Sequence, residues 1–275
     1  MKIELAKSCG FCFGVKRAIK LAENAPNSAT IGELIHNKEE INRLKDNFGV
    51  KTLNNIDELS DEKKAIIRTH GITKDDLSIL KQKNIDIIDA TCPYVTKPQK
   101  IVEKMSDEGY DIVIFGDDNH PEVKGVKSYA TKGNVYVVLS TDEIKQIQLR
   151  NKVAVISQTT KKIEHFKEIV NVIMEKSKEV RVFNTICNAT LLNQEAVEEL
   201  AKKADVMVIV GGKNSSNTKQ LFIISKQFCE DSYLIENESE LNKDWFINKN
   251  ICGVSAGAST PDWIIQNIIR NLEKF

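Results

Sequence analysis

Three segments of the chain pass through the same order of events, and this repeat constrains the fold more than any other feature. The first runs from a cysteine near Cys12 through a helix-like stretch (GVKRAIKLAENA) and a strand-like stretch (ATIGEL) to Gly32 and His36. The second runs from Cys92 through VTKPQKIVEKMSDEG and YDIVIFG to Gly116 and His120. The third runs from Cys187 through LLNQEAVEELAKKA and DVMVIVGG to Gly211 and Ser215. In each, a polar residue stands four places after the glycine, and Cys92 to Gly116 and Cys187 to Gly211 are both steps of 24 residues. A fixed internal period of this kind marks a structural unit used more than once.

The echo continues along each segment. An acidic turn follows (NNIDEL, STDEI, NESEL), then a second apolar strand (KKAIIRTHG, KVAVISQTT, ICGVSAGAST) that ends in a polar cluster and leads into a helix. Short apolar strands alternating with amphipathic helices predict an α/β fold with parallel sheets. In the first two segments the last helix leads to a further strand and the next cysteine. The third segment ends at Phe275 without one, and the missing strand is found at the other end of the chain, in MKIELAKSC. The expected architecture is therefore three similar α/β lobes in a pseudo-threefold trefoil, with the N-terminal strand completing the third lobe. The boundaries are 13–91, 92–184, and 185–275 plus 1–12. Ligands of parallel α/β sheets bind beyond the carboxyl ends of the strands. All the polar clusters and the three cysteines are at such ends, so they are expected to face one shared central site.

Composition narrows the partners. The 275 residues carry 39 basic and 39 acidic side chains, a balance that favours neither nucleic acid nor an anionic membrane surface. Apolar runs such as DVMVIVGG are too short to span a bilayer, and MKIELAKS lacks the apolar core of a signal peptide. These features point to a cytoplasmic protein. Its six cysteines then meet a reducing environment, where metal binding or catalysis outweighs disulfide formation.

Three thiolates from distant segments could hold zinc, an iron–sulfur cluster, or nothing. Close cysteine pairs typical of structural zinc are represented only by Cys9 and Cys12. Cys229 and Cys252 lie in apolar surroundings and read as small buried hydrophobes. Spacing alone favours Cys9 as the first thiol, since Cys9 to Gly32 is 23 residues and Cys12 to Gly32 only 20. Of the four histidines, His36, His70 and His120 stand at strand ends, whereas His165 falls in the helix-like IEHFKEIV. The loops GELIHNKEE, RTHGIT, GDDNHPEVKG, SQTTKK, GKNSSNTK and SAGASTPDW offer neutral donors near helix N-termini. That combination cradles phosphate or diphosphate, although any one Ser, Thr or Asn in it serves more commonly as a helix cap. Glu122, two residues after His120, reads equally as a proton donor and as a first-turn glutamate favoured by the helix dipole.

Taken together and in order, GFCFGVKRAI, ELIHN, RTHG, DATCP, HPEV, SQTT, ICNAT, KNSSNT and SAGASTPD resemble the 4-hydroxy-3-methylbut-2-enyl diphosphate reductase family from end to end. No single motif is specific, but the combination is. The resemblance implies a trefoil around a [4Fe–4S] cluster held by Cys12, Cys92 and Cys187, which chooses Cys12 over Cys9. It implies that His36, His70, His120, Ser215, Ser216, Asn217 and Ser259 line the diphosphate pocket. Thr159 would contact the substrate near its hydroxyl, and Glu122 would deliver protons. Ser255 stands where the family has threonine, a change of small expected effect. The implied reaction is the two-electron reductive dehydroxylation of 4-hydroxy-3-methylbut-2-enyl diphosphate to isopentenyl and dimethylallyl diphosphate, the final step of the methylerythritol phosphate pathway. Electrons would come from ferredoxin or flavodoxin, and the protein would act as a monomer or weak dimer. Two rival readings are a non-catalytic iron–sulfur sensor, which has no use for phosphate-cradling loops, and a zinc-dependent phosphohydrolase.

Overall fold

The computed structural model describes residues 1–83 and 85–275. Among these residues there are three parallel sheets of four strands each. The first contains β2 (Ala29–Ile31), β3 (Lys51–Leu53), β4 (Lys64–Ile67) and β5 (Asp86–Asp89) in the spatial order β3-β2-β4-β5. The second contains β6 (Asp111–Phe115), β7 (Val135–Val138), β8 (Lys152–Ser157) and β9 (Glu179–Val182) in the order β7-β6-β8-β9. The third contains β10 (Val206–Val210), β11 (Ser232–Ile235), β12 (Ile251–Ala256) and β1 (Lys2–Leu5) in the order β11-β10-β12-β1. Each sheet therefore has the same topology, with its first strand beside its third. The N-terminal strand completes the third sheet as the repeat requires, with Lys2 opposite Ile251 and Leu5 opposite Val254.

The central strands β2, β6 and β10 are buried throughout, while the edge strands β1, β5 and β9 are only partly so. This is why YDIVIFG and DVMVIVGG read as continuous apolar runs: both faces of a parallel sheet are covered by helices. Fully burying each Val or Ile side chain contributes about 1.5–3 kcal/mol. The third sheet carries separate apolar clusters, one around Val208, Val254 and Ile268 and the other around Val197, Met207 and Leu221. The acidic turns differ in detail from the expectation. NNIDEL and NESEL form short 3-10 turns at Ile56–Glu58 and Glu238–Glu240, but STDEI opens a short helix, Thr141–Gln146.

The chain divides into two compact units. One is made of Met1–Lys16, Ile35–Asn47 and Asn188–Phe275 and holds the third sheet. The other is made of Arg17–Leu34 and Phe48–Cys187 and holds the first and second sheets. No helix among the described residues is long and apolar enough to cross a membrane.

Candidate active site and cofactor ligands

A parallel sheet whose first strand lies beside its third has a topological switch point between those two strands, and ligands bind in the crevice beyond their carboxyl ends. Every non-cysteine site residue expected from the sequence follows such a strand. His36 follows β2 and His70 follows β4; His120 and Glu122 follow β6, and Thr159 follows β8. Ser215, Ser216 and Asn217 follow β10, and Ser259 follows β12. The repeat is visible even in single hydrogen bonds. The N–H groups of Gly32, Gly116 and Gly211 donate to the carbonyls of Leu53, Val138 and Ile235, each at the end of the second strand of its sheet.

The cysteines follow the fourth strand of each sheet, and their backbone register resolves the ambiguity between Cys9 and Cys12. Cys92 N–H donates to the Thr69 carbonyl at 3.0 Å, and Cys187 N–H to that of Thr159 at 3.0 Å. Cys12 N–H donates to the carbonyl of Ala258 at 3.2 Å. Each acceptor lies two residues beyond the end of the third strand, so Cys12, not Cys9, is the counterpart of Cys92 and Cys187. Spacing misled because helix α1 (Phe13–Glu23) has 11 residues, while α4 (Pro93–Asp107) has 15. One missing turn accounts for the four missing residues.

Each of these thiols immediately precedes a helix: Cys12 before α1, Cys92 as the N-cap of α4, and Cys187 before α8 (Asn188–Ala201). All three are partly exposed, and no cysteine among the described residues is disulfide-bonded. A helix N-terminus stabilises a thiolate and any negatively charged group it binds. The donor set therefore suits a metal or iron–sulfur group. Cys9 is different: burial, with the charge of Asp262, pushes its thiol up. Cys252 is pushed up by burial to about 12, consistent with a packing role.

In the unit with the first two sheets, Glu122 lies in α5 (Pro121–Lys127) and is only 2% exposed. Its two carboxylate oxygens accept from Thr159, Oε1 from the backbone N–H at 2.7 Å and Oε2 from the hydroxyl at 2.6 Å. The adjoining space is walled mainly by Pro98, Ile114, Val126 and Ile156. Burial drives the Glu122 carboxyl above the usual carboxylate range, while the Thr159 bonds and the Lys161 charge oppose the rise. His120 caps α5 by accepting the Glu122 N–H on Nδ1 at 3.2 Å. A neutral His120 must then carry its proton on Nε2. The His70 and His120 rings meet edge to face, with centroids 5.4 Å apart. Two neighbours escaped the sequence reading although they stand in the quoted SQTTKK. Gln158 accepts the Asp117 N–H on Oε1 and donates from Nε2 to the Thr160 hydroxyl.

In the other unit, Ser215 caps α9 (Ser216–Phe228) and accepts from Thr218 N–H. Capping and ligand binding are compatible here, because a capping hydroxyl keeps its own proton to donate. Asn217 is 5% exposed, and neither its amide nitrogen nor its amide oxygen has a partner among the described residues. A buried amide of this kind costs about 1–3 kcal/mol unless something bonds it, so it points to a polar ligand at this helix N-terminus. Ser259 donates to the His36 carbonyl at 3.1 Å, and a side chain at Gly212 would collide with that carbonyl. Just beyond His36, Asn37 accepts from Glu40 N–H. The carboxylate of Glu40, 1% exposed, receives Arg43 and the indole N–H of Trp263 at 3.1 Å. Glu40 and Trp263 close the quoted loops GELIHNKEE and SAGASTPDW, but neither stands out there, since both read as ordinary helix residues. Ser255 is fully buried in β12. His165 is exposed on α7 (Ile163–Lys176).

Comparison with known proteins agrees with these features. Residues 3–273 match the family model described as LytB protein. The chain is 70% identical to the 4-hydroxy-3-methylbut-2-enyl diphosphate reductase of Campylobacter hominis over 272 residues, covering 99% of this chain and 98% of the relative. It is also 70% identical to the same-named protein of Campylobacter curvus over 275 residues and the full length of both. Among solved structures, (E)-4-hydroxy-3-methyl-but-2-enyl diphosphate reductase, described as the terminal enzyme of the non-mevalonate pathway, superposes with a TM-score of 0.73 at 44% identity over the full length of both chains. The E-1-hydroxy-2-methyl-but-2-enyl-4-diphosphate reductase of Plasmodium falciparum gives 0.91 at 28% identity, covering 98% of this chain and 87% of that one. With the threefold repeat, the cysteine register and the strand-end residues in place, the match along almost the whole length means that this chain belongs to the LytB protein family.

Proposed function

We propose that the protein reduces 4-hydroxy-3-methylbut-2-enyl diphosphate to isopentenyl and dimethylallyl diphosphate, in the cytoplasm and with ferredoxin or flavodoxin as electron source. The observation that carries this reading is the buried Glu122–Thr159 pair. A carboxyl whose hold on its proton is strengthened by burial, and which one threonine fixes through two bonds, is suited to general-acid work on a leaving hydroxyl. Reductive dehydroxylation needs such an acid, because a hydroxyl departs far more readily as water.

A LytB-family reductase carries an iron–sulfur cluster, which supplies one-electron transfers and a Lewis-acidic iron when bound. For this chain we assign [4Fe–4S] ligation to Cys12, Cys92 and Cys187, which share one backbone register and each stand at the start of a helix. We assign the substrate's diphosphate to His36, His70, His120, Ser215, Ser216, Asn217 and Ser259. The amide of Asn217, unpartnered among the described residues, supports this, as does the place of His120 at the start of α5, where its Nδ1 accepts the Glu122 N–H. Thr159 orients the Glu122 carboxyl and stands ready to bond the substrate hydroxyl. Glu122 then gives its proton to that hydroxyl, and protonation of the reduced carbon skeleton at either end accounts for two products.

The direct test is product analysis after oxygen-free incubation with substrate and a chemical reductant. Formation of both five-carbon diphosphates supports the reading. Failure of protein with its full complement of iron and sulfide to consume the substrate would end it.

A further inference from the structure

We propose that a groove beside Cys92 is the docking surface for an acidic one-electron carrier protein of the flavodoxin or ferredoxin type; this rests on the reductase reading above. The groove has a volume of about 620 Å³, and its walls include Arg17, Asp89, Lys97, Lys100 and Lys104. It therefore presents four cations and one carboxylate, on a chain whose charges balance overall. Asp89 is partly occupied, since it accepts from Thr91 N–H at 2.8 Å. Lys104 reaches Glu108 only at 3.9 Å, and among the described residues Lys97 and Lys100 have no carboxylate partner. Two other surface cavities differ in this respect, because Asp61 and Glu62 stand among their lysines.

The position of the groove matters as much as its charge. Thr91 and Pro93, the residues on either side of Cys92, both line it. Arg17 donates to the backbone carbonyls of Asp89 and Thr91 at 3.0 and 3.2 Å, which fixes the loop that presents Cys92. Lys97, Lys100 and Lys104 follow on α4, the helix that Cys92 caps, in a row at helical spacing with Ile101 among them. A lysine row on a solvated helix face is usually ornament. Here Lys97 and Lys100 have no carboxylate partner among the described residues, and the row is continuous with the loop carrying a proposed cluster ligand. An acidic partner drawn to it would bring its own redox group next to Cys92.

The electron count requires such a partner. Each turnover breaks one C–O bond, releases one water, forms one C–H bond, and takes up two protons and two electrons. A one-electron carrier must therefore dock and be oxidised twice. Electrostatic complementarity acts on encounter, raising association by about ten-fold or more at low salt.

The experiment compares the cluster-loaded wild type with the double variant Lys97→Glu, Lys100→Glu, using reduced flavodoxin and reduced methyl viologen as alternative donors. The expected result is a rise of about ten-fold or more in KM for flavodoxin and loss of its salt dependence, with viologen-driven turnover unchanged. An unchanged KM for flavodoxin would overturn the docking surface. A parallel loss of viologen-driven turnover would also overturn it, since the charges would then act on the site and not on the donor. Absence of viologen-driven turnover in the wild type would instead defeat the reductase reading itself.

Discussion

Replacing Glu122 by Gln removes the ability to give up a proton and changes shape very little, which makes it the most informative single change. The Thr159 N–H at 2.7 Å still finds an oxygen on the amide. At the other position the bond reverses: the amide N–H donates and the Thr159 hydroxyl accepts, over the same 2.6 Å. The amide is nearly isosteric with the carboxyl, so the fold and the three strand-end cysteines should be untouched. A positioned general acid contributes about 10²–10⁴-fold to a rate, or about 3–5 kcal/mol of barrier, and the variant should lose that much in kcat. The assay is anaerobic turnover of 4-hydroxy-3-methylbut-2-enyl diphosphate with reduced viologen, alongside iron content and substrate binding, both expected to match the wild type. The same variant reports on stability. Folded Glu122 keeps its proton at pH values where the unfolded chain has released it, so folding takes up a proton in that window. Stability must then fall as pH rises from the ordinary carboxylate range through the raised value in the folded state. The Gln variant lacks this slope and should gain on the wild type towards neutral pH. Turnover like that of the wild type, or parallel pH–stability curves, would refute the argument.

Other predictions follow from the same geometry. Cys12→Ser should lower bound iron while Cys9→Ser leaves it unchanged; equal iron in the two purified variants would contradict the register of backbone hydrogen bonds. Trp263→Phe keeps a ring but removes the N–H that reaches Glu40, leaving a buried carboxylate short of a donor at a cost of about 1–3 kcal/mol. Because the same segment carries His36 and its Ser259 bond, KM for substrate should rise with kcat held, and an unaltered KM would remove the positioning role. Gly211→Ala places a Cβ 2.7 Å from the Thr260 hydroxyl at a backbone φ of +147°, and should cost about 1–3 kcal/mol in denaturant unfolding. An unshifted midpoint would show that the strand-end turn relaxes freely.

The sheets were legible in the sequence because parallel strands covered on both faces leave uninterrupted apolar runs, and because the repeat fixed their order. The fate of MKIEL was legible only by subtraction: β1 alone is a short edge strand, and its place beside β12 follows from the strand the third repeat lacks. Cys12 was obscured by a helix one turn shorter than its counterparts, a change that spacing registers and strand topology ignores. The Glu122–Thr159 pair could be named from motifs, but its burial could not, since a first-turn glutamate after His-Pro is ordinarily a solvated residue. Glu40, Trp263 and Arg17 act through contacts made far along the chain or with backbone carbonyls, and local pattern carries no trace of such contacts.

The central claim is that this chain uses three helix-capped thiols and one buried acid to remove a hydroxyl from an allylic diphosphate. The measurement that meets it most directly is oxygen-free turnover of 4-hydroxy-3-methylbut-2-enyl diphosphate with reduced viologen, using protein whose iron and sulfide have been quantified. Substrate-dependent viologen oxidation with formation of isopentenyl and dimethylallyl diphosphate is the predicted result. No oxidation by fully loaded protein would contradict the account.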